Sequence, residues 1–230
     1  TEVYPYAAQL SDSVHGLGSC AIPVFFMTWG RKNGDQQNCA TWPPVCTYEG
    51  MDSLLNERYQ TMADDNDGLV SPVGAVWNYI RQNYPNIDLY TTDGSHPSAE
   101  GSYAAAVTFY TIFTQKDPIL TTDVTNIDPQ QAMDIRNAAK VIVYDDLAQW
   151  NVEDYNAVAD FSYMQSADTL WFTNNSTQYT NLLWDFGDGN TSTQDNPQHI
   201  YGTPGNYSVT LNAQGCYNTD AMQDAVSVIT

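Results

Sequence analysis

Two hydrophobic periods divide this chain. In its first 150 residues, apolar positions recur at helical spacing. Met51, Leu54, Leu55, Tyr59 and Met62 form one stripe. Val73, Val76, Trp77 and Ile80 form a second, with Ser71 placed to cap the helix, Pro72 at its first position and Pro85 beyond its end. Ala132, Ile135, Ala139, Ile142 and Leu147 form a third, opened by Asp128 and Pro129. Tyr6, Leu10, Val14 and Leu17 predict another amphipathic helix near the start, with Ser13 on its outer face. Two short apolar runs, Val24 to Thr28 and Ile87 to Tyr90, each follow a helical stretch and predict strands. Strands separated by helices imply a parallel sheet.

From Ala157 the period changes to two. Ala157, Ala159, Phe161 and Tyr163 alternate with other residues, as do Leu170 and Phe172, then Tyr207, Val209 and Leu211; Ala225, Val226 and Val228 do so less cleanly. Turn sequences at Asp188-Gly189-Asn190 and Pro204-Gly205-Asn206 separate these short strands, as in a β-sandwich. The expected organisation is an α/β part over 1–150, a linker over 151–156 and an all-β part over 157–230. A parallel sheet covered on both faces usually has about five strands, and the first part offers two for at least three long helices. Further strands are therefore expected from a segment upstream of Thr1 or from another chain; the alternative is that some of these stretches are connectors rather than the covering helices of a sheet.

Charge narrows the partners. Seven Lys and Arg against 27 Asp and Glu give a net charge of -20, which opposes docking on phosphate backbones or anionic lipid heads. Neither nucleic acid nor a membrane surface is an expected partner. No apolar run approaches the roughly 18 residues of a membrane span, and the longest candidate, Ala21 to Thr28, contains Pro23. The first residues carry no basic-then-apolar leader, so Thr1 is expected to be a cut end. Four cysteines allow three pairings, of which Cys39 with Cys46 closes a short loop stiffened by Pro43 and Pro44. A disulfide there is the preferred reading; a reduced pair packed as small apolar groups is the alternative. Zinc is disfavoured because His15, His96 and His199 are scattered.

In open α/β sheets ligands bind beyond the carboxyl ends of the strands. Two loops qualify. Trp29-Gly30-Arg31-Lys32-Asn33-Gly34-Asp35 offers an indole, two cations and an amide for gripping substrate, with Trp29, Arg31 and Asn33 as the candidate contacts. The alternative leaves the cations in solvent and Trp29 in the core. Asp93-Gly94-Ser95-His96-Pro97 places a carboxylate three residues before an imidazole. Asp93 can then hold Nδ1-H of His96 and leave Nε2 open as a general base. No serine in the sequence fits as its nucleophile: Ser95 is too close, Ser98 begins a helix, and Ser11 and Ser13 lie on the first helix.

The segments FFMTWGRKNGDQQNC, WPPVCTYEGMDSLLNERY, SPVGAVW and DGSHPSAEGSYAAAVTFY resemble the carboxyl-terminal part of an SGNH (GDSL-like) hydrolase of secreted bacterial type. The resemblance implies that Asp93 and His96 are the last catalytic block. It also implies that the nucleophilic serine and the oxyanion-hole glycine and asparagine would precede Thr1. Loss of such a serine can lower turnover on the order of a million-fold. WDFGDGN at 184–190, HIY at 199–201 and PGNYSVTL at 204–211 resemble a PKD domain, an immunoglobulin-like sandwich. Trp184 and Phe186 are expected to point inward while Gly187 and Gly189 form the hairpin turn. Asp185 and Asp188 are expected to cap that turn; structural calcium is the weaker reading, and no other cofactor is expected. Together these features predict an extracellular ester hydrolase acting on an ester-bearing glycan or polymer. The alternative is a non-catalytic surface, adhesion or filament protein built from a degenerate hydrolase half and a PKD domain.

Overall fold

The computed structural model describes residues 3–18, 20–122 and 126–229. The chain divides into two compact units, Thr1–Val152 and Glu153–Thr230. Thr1 itself lies outside the described residues.

The N-terminal unit runs α1 (Tyr4–His15), β1 (Val24–Phe26), α2 (Tyr48–Asp64), β2 (Leu69–Ser71), α3 (Val73–Asn83), α4 (Ala99–Thr114) and α5 (Pro129–Ile142). β1 and β2 pair in parallel, Val24 opposite Leu69 and Phe26 opposite Ser71. α2 packs on both strands and α4 on β2, while α3, α4 and α5 pack on one another. Val73, Val76, Trp77 and Ile80 of α3, Ala104 and Ile112 of α4, and Ala132, Ile135 and Ala139 of α5 are all buried. Small residues permit the closest approaches: a Cβ at Gly74 would lie 2.3 Å from the Thr28 carbonyl oxygen.

The structure corrects four local expectations. The second strand is Leu69–Ser71, whose run is too short to show a period, and Ile87 to Tyr90 is not a strand. That run makes one isolated bridge, Tyr90 with Pro97, and its carbonyls instead accept from the turn before α4, as Leu89 does from Ser98. Pro72, not Ser71, is the N-cap of α3, because Ser71 completes the strand. The α1 stripe faces outward: Tyr6, Leu10 and Leu17 are exposed, while Ala7 and Ser11 are buried. Leu147 lies beyond the end of α5, between two single-turn 3-10 helices.

The C-terminal unit is a sandwich of two antiparallel sheets. Its strands are β3 (Phe161–Ser166), β4 (Thr169–Asn174), β5 (Asn181–Asp185), β6 (Thr191–Ser192), β7 (Gln198–Ile200), β8 (Gly205–Gln214) and β9 (Thr219–Val228). One sheet has the order β3-β4-β7, the other β6-β5-β8-β9. Trp184 is fully buried, its ring 5.2 Å from that of Phe161 and 5.3 Å from that of Phe172. Gly187 has φ 77°, and a Cβ there would meet the Ser208 carbonyl oxygen at 2.5 Å, so this turn requires glycine. Asp185 and Asp188 accept from the backbone amides of Gly187 and Asn190, capping the turn. His199 stacks on Phe186 at 4.1 Å and bonds Asp188 through Nε2 at 2.8 Å.

Candidate active site

The turn ahead of α4 brings Asp93 and His96 together. Gly94, with φ 67°, allows the tight reversal, and its amide donates to the Thr91 carbonyl. Asp93 Oδ2 lies 2.5 Å from His96 Nδ1. Asp93 Oδ1 accepts from the backbone amides of Ser95 and His96 at 2.8 and 2.9 Å and from the Thr91 hydroxyl at 2.9 Å. The His96 contact, these two amides and the hydroxyl hold the Asp93 carboxyl well below the usual carboxylate range. Among the described residues the His96 ring bonds through Nδ1 alone, and its side chain is 78% exposed. The arrangement fixes one nitrogen and leaves Nε2 free to accept a proton.

Ser98 anchors the turn to the helix behind it. Its hydroxyl caps α4 by accepting from the Gly101 amide and donates to the Asp88 carbonyl at 2.7 Å. It is thereby excluded as a partner of His96.

The loop after β1 supports this turn from the side. Trp29 stacks on buried Trp77 at 4.0 Å and donates Nε1-H to the Ser95 carbonyl at 3.0 Å. The Lys32 amide donates to the Gly94 carbonyl at 2.8 Å. Trp29 therefore positions the histidine turn from its partly buried place in the loop. The Arg31 side chain is directed to Asp35, 3.3 Å away. Asn33 is exposed and lines, with Lys32 and Asp93, a groove of about 490 Å³. Cys39 and Cys46 are joined in a disulfide that closes the far end of the loop.

The sequence reading missed a polar relay beside this loop. Asn78 Nδ2 donates to Asp52 Oδ2 at 2.8 Å, and Gln82 Nε2 donates to Asn78 Oδ1 at 2.7 Å. Asp52 is 6% exposed, and burial pushes its carboxyl up to about 6 against the lowering effect of its hydrogen bonds. The Arg81 guanidinium lies 3.8 Å over the Tyr48 ring and donates to the Lys32 carbonyl at 3.2 Å. A helical signal was present, since Tyr48 and Asp52, and Asn78 and Gln82, are pairs four apart and share a face.

Comparison with known proteins assigns the C-terminal unit to a family and gives the N-terminal unit a relative in fold. Residues 149–229 match the PKD domain family. The PKD1 domain of the Vibrio cholerae metalloprotease PrtV is 33% identical, with a TM-score of 0.31, over 32% of this chain and 98% of that one. The C-terminal unit thus belongs to the PKD domain family. A DUF4886 family protein from Bacteroides uniformis has a TM-score of 0.53 at 17% identity, over 64% of this chain and 57% of that one, and so shares its fold. A Slackia heliotrinireducens protein described as a candidate SGNH hydrolase is 26% identical with a TM-score of 0.38, over 47% of this chain and 54% of that one. A microbial collagenase of Vibrio alginolyticus is 67% identical over 30 residues, 13% of this chain and 4% of that protein's length. The chain thus carries a PKD domain over residues 149–229, preceded by a unit that shares the fold of the DUF4886 family protein.

Proposed function

We propose that the N-terminal unit carries the acid-base half of an ester hydrolase, acting outside the cell on an ester-bearing glycan or polymer. The observation that carries this reading is the Asp93–His96 pair, with Nδ1 engaged and Nε2 open. In the reaction, His96 Nε2 takes the proton of a serine hydroxyl as that oxygen attacks the ester carbonyl. It returns the proton to the departing alcohol, and water then cleaves the acyl-serine by the same cycle. Asp93 fixes the ring's tautomer. Trp29 positions the turn, while Asn33, on the groove that reaches Asp93, contacts substrate; Arg31 contributes only after leaving Asp35.

The serine is supplied from outside these residues, by a preceding segment or another chain that extends the β1–β2 sheet. Two features support this: the described sheet has two strands, and its neighbourhood is apolar and accessible. Phe26 stacks edge-on against Phe109, Phe109 stacks on Phe113, and Phe26 and Phe113 are 38% and 61% exposed. An unpaired strand edge beside such a surface is suited to strand addition. The disulfide and the PKD domain support an extracellular setting.

The test uses the natural product with its intact mass determined. A species larger than these residues should react with a fluorophosphonate probe and hydrolyse small acetyl esters, and His96→Ala should abolish both. A larger species inert to the probe and to these esters refutes the reading. The same exposed surface favours a second reading, a non-catalytic surface or filament protein in which the unit packs against copies of itself. Monomers alone in light scattering at native concentrations would exclude it.

A further inference from the structure

Three grooves on the N-terminal unit run into one another. The central one, of about 470 Å³, shares Glu49, Asn78 and Gln82 with a groove of about 580 Å³ over α2. On its other side it shares Lys32, Asp88 and Tyr90 with the groove of about 490 Å³ that ends at Asp93 and Gly94. Each is the size of a ligand site, and together they form one trough ending at the histidine turn.

The middle of the trough has fixed polar groups. Gln82, Asn78 and buried Asp52 form a relay in which each hydrogen bond orients the next amide. The Arg81 guanidinium lies 3.8 Å over the Tyr48 ring, donates to the Lys32 carbonyl, and is in no ion pair among the described residues. Planar groups held in this way lose little freedom when they bind, and guanidinium, amide and carboxylate together offer both donors and acceptors. The charge along the trough is acidic: it is lined by Lys32 and Arg81 against Glu49, Asp52, Glu57, Asp88 and Asp93, and Lys32 is already paired with Asp88 at 3.0 Å. Anionic polymers are opposed by this surplus, whereas hydroxyl groups, which donate and accept, match it.

We infer that this trough binds a neutral polyhydroxylated polymer, a glycan chain without acidic substituents, with Arg81 and the Gln82–Asn78–Asp52 relay at its centre. The inference deepens the ester-hydrolase reading, which assigns the chemistry at the trough's end, but binding does not depend on that chemistry.

The test titrates the full chain calorimetrically with xylan, mannan, β-glucan and chitin hexamers, the corresponding dimers, and hexagalacturonate. At least one neutral hexamer should bind at least about tenfold more tightly than its dimer and than hexagalacturonate. Gln82→Ala and Glu49→Ala, both at exposed positions, should each weaken that hexamer about fivefold with unchanged thermal melts. Arg81→Lys should weaken it as well, because an ammonium lacks the planar fork. The inference is overturned if no neutral hexamer binds, if hexamer and dimer bind alike, or if hexagalacturonate binds best. It is also overturned if Gln82→Ala has no effect while Trp171→Ala, on β4 of the other unit, removes binding. Ester hydrolysis without glycan binding would sink this inference alone, and glycan binding without hydrolysis in the larger species would sink the reaction alone.

Discussion

Replacing Gly101 by alanine sets helix propensity against packing in the element that carries the histidine turn. Gly101 lies in the first turn of α4, where alanine gains about 1 kcal/mol in propensity. The added Cβ would lie 2.3 Å from the Leu89 carbonyl oxygen and 2.6 Å from Cζ2 of Trp77, which is fully buried. Neither atom is the free end of a flexible chain, so α4 must retreat by roughly 1 Å. Overpacking of this kind costs about 1–3 kcal/mol. The retreat also stretches the bond from the Gly101 amide to the Ser98 hydroxyl, a cap worth about 1 kcal/mol. Packing wins, and the net loss should be about 1–3 kcal/mol in urea denaturation followed by tryptophan fluorescence. Gly202→Ala, at a site where a Cβ meets nothing within 4 Å, is the control and should stay within about 0.5 kcal/mol of the parent. A Gly101→Ala protein as stable as the parent would refute this account of how α4 is seated.

Asp52→Asn should change stability in a pH-dependent way. The Asp52 carboxyl titrates near 6 in the fold and near 3.9 unfolded, so the folded state holds the extra proton between those values and stability falls as pH rises through that window. The amide removes that loss: the variant should match the parent near pH 4 and exceed it by about 2–3 kcal/mol at pH 8, and equal urea midpoints at pH 8 would contradict this. Asp93 has the opposite sign, since its lowered pKa contributes stability above its unfolded value that is lost only as pH falls through the folded one. Carbon-13 carboxyl shifts should therefore show Asp93 ionised throughout pH 7 to 4, and a midpoint at or above about 3.9 would count against the described turn. In the PKD domain, His199→Ala removes a ring stacked on Phe186 and edge-on to Tyr201, and the loss should be about 2–3 kcal/mol by calorimetry of that unit; an unchanged melt would place the ring outside the core.

How much of this was legible in the sequence depends on how local the cause was. The Asp93–His96 contact closes within four residues, so the turn sequence alone sufficed to anticipate it. The sandwich was equally readable, because alternation in each strand and the glycine turn are local, and Trp184 and Phe186 point inward as the period of two requires. β2 was hidden because three residues between Gly68 and Pro72 show no period. Ile87 to Tyr90 has a strand's composition, but strand formation needs a neighbour, and the partners of Leu89 and Tyr90 come from the turn at 97–98. The outward stripe of α1 fails for the same reason. Periodicity says which residues share a face, whereas burial depends on a surface to receive that face.

The same distinction explains the site residues. Trp29 in the sequence looked like a contact for substrate because it follows a strand in a glycine-flexed loop. Its indole is instead held by Trp77, 48 positions later, and by the carbonyl of Ser95, 66 positions later. Arg31 has a local partner in Asp35, four residues on, so its charge is already engaged. Arg81 is the complementary case: nothing in its local sequence singles it out, yet the approach of Tyr48 from α2 sets an aromatic ring 3.8 Å from its guanidinium at the edge of the trough. The chemistry of each side chain was in the sequence from the start, but which of them remain free to meet a ligand depends on contacts made across the fold, and it is on these contacts that the proposal sets Arg81 rather than Arg31 at the centre of the trough.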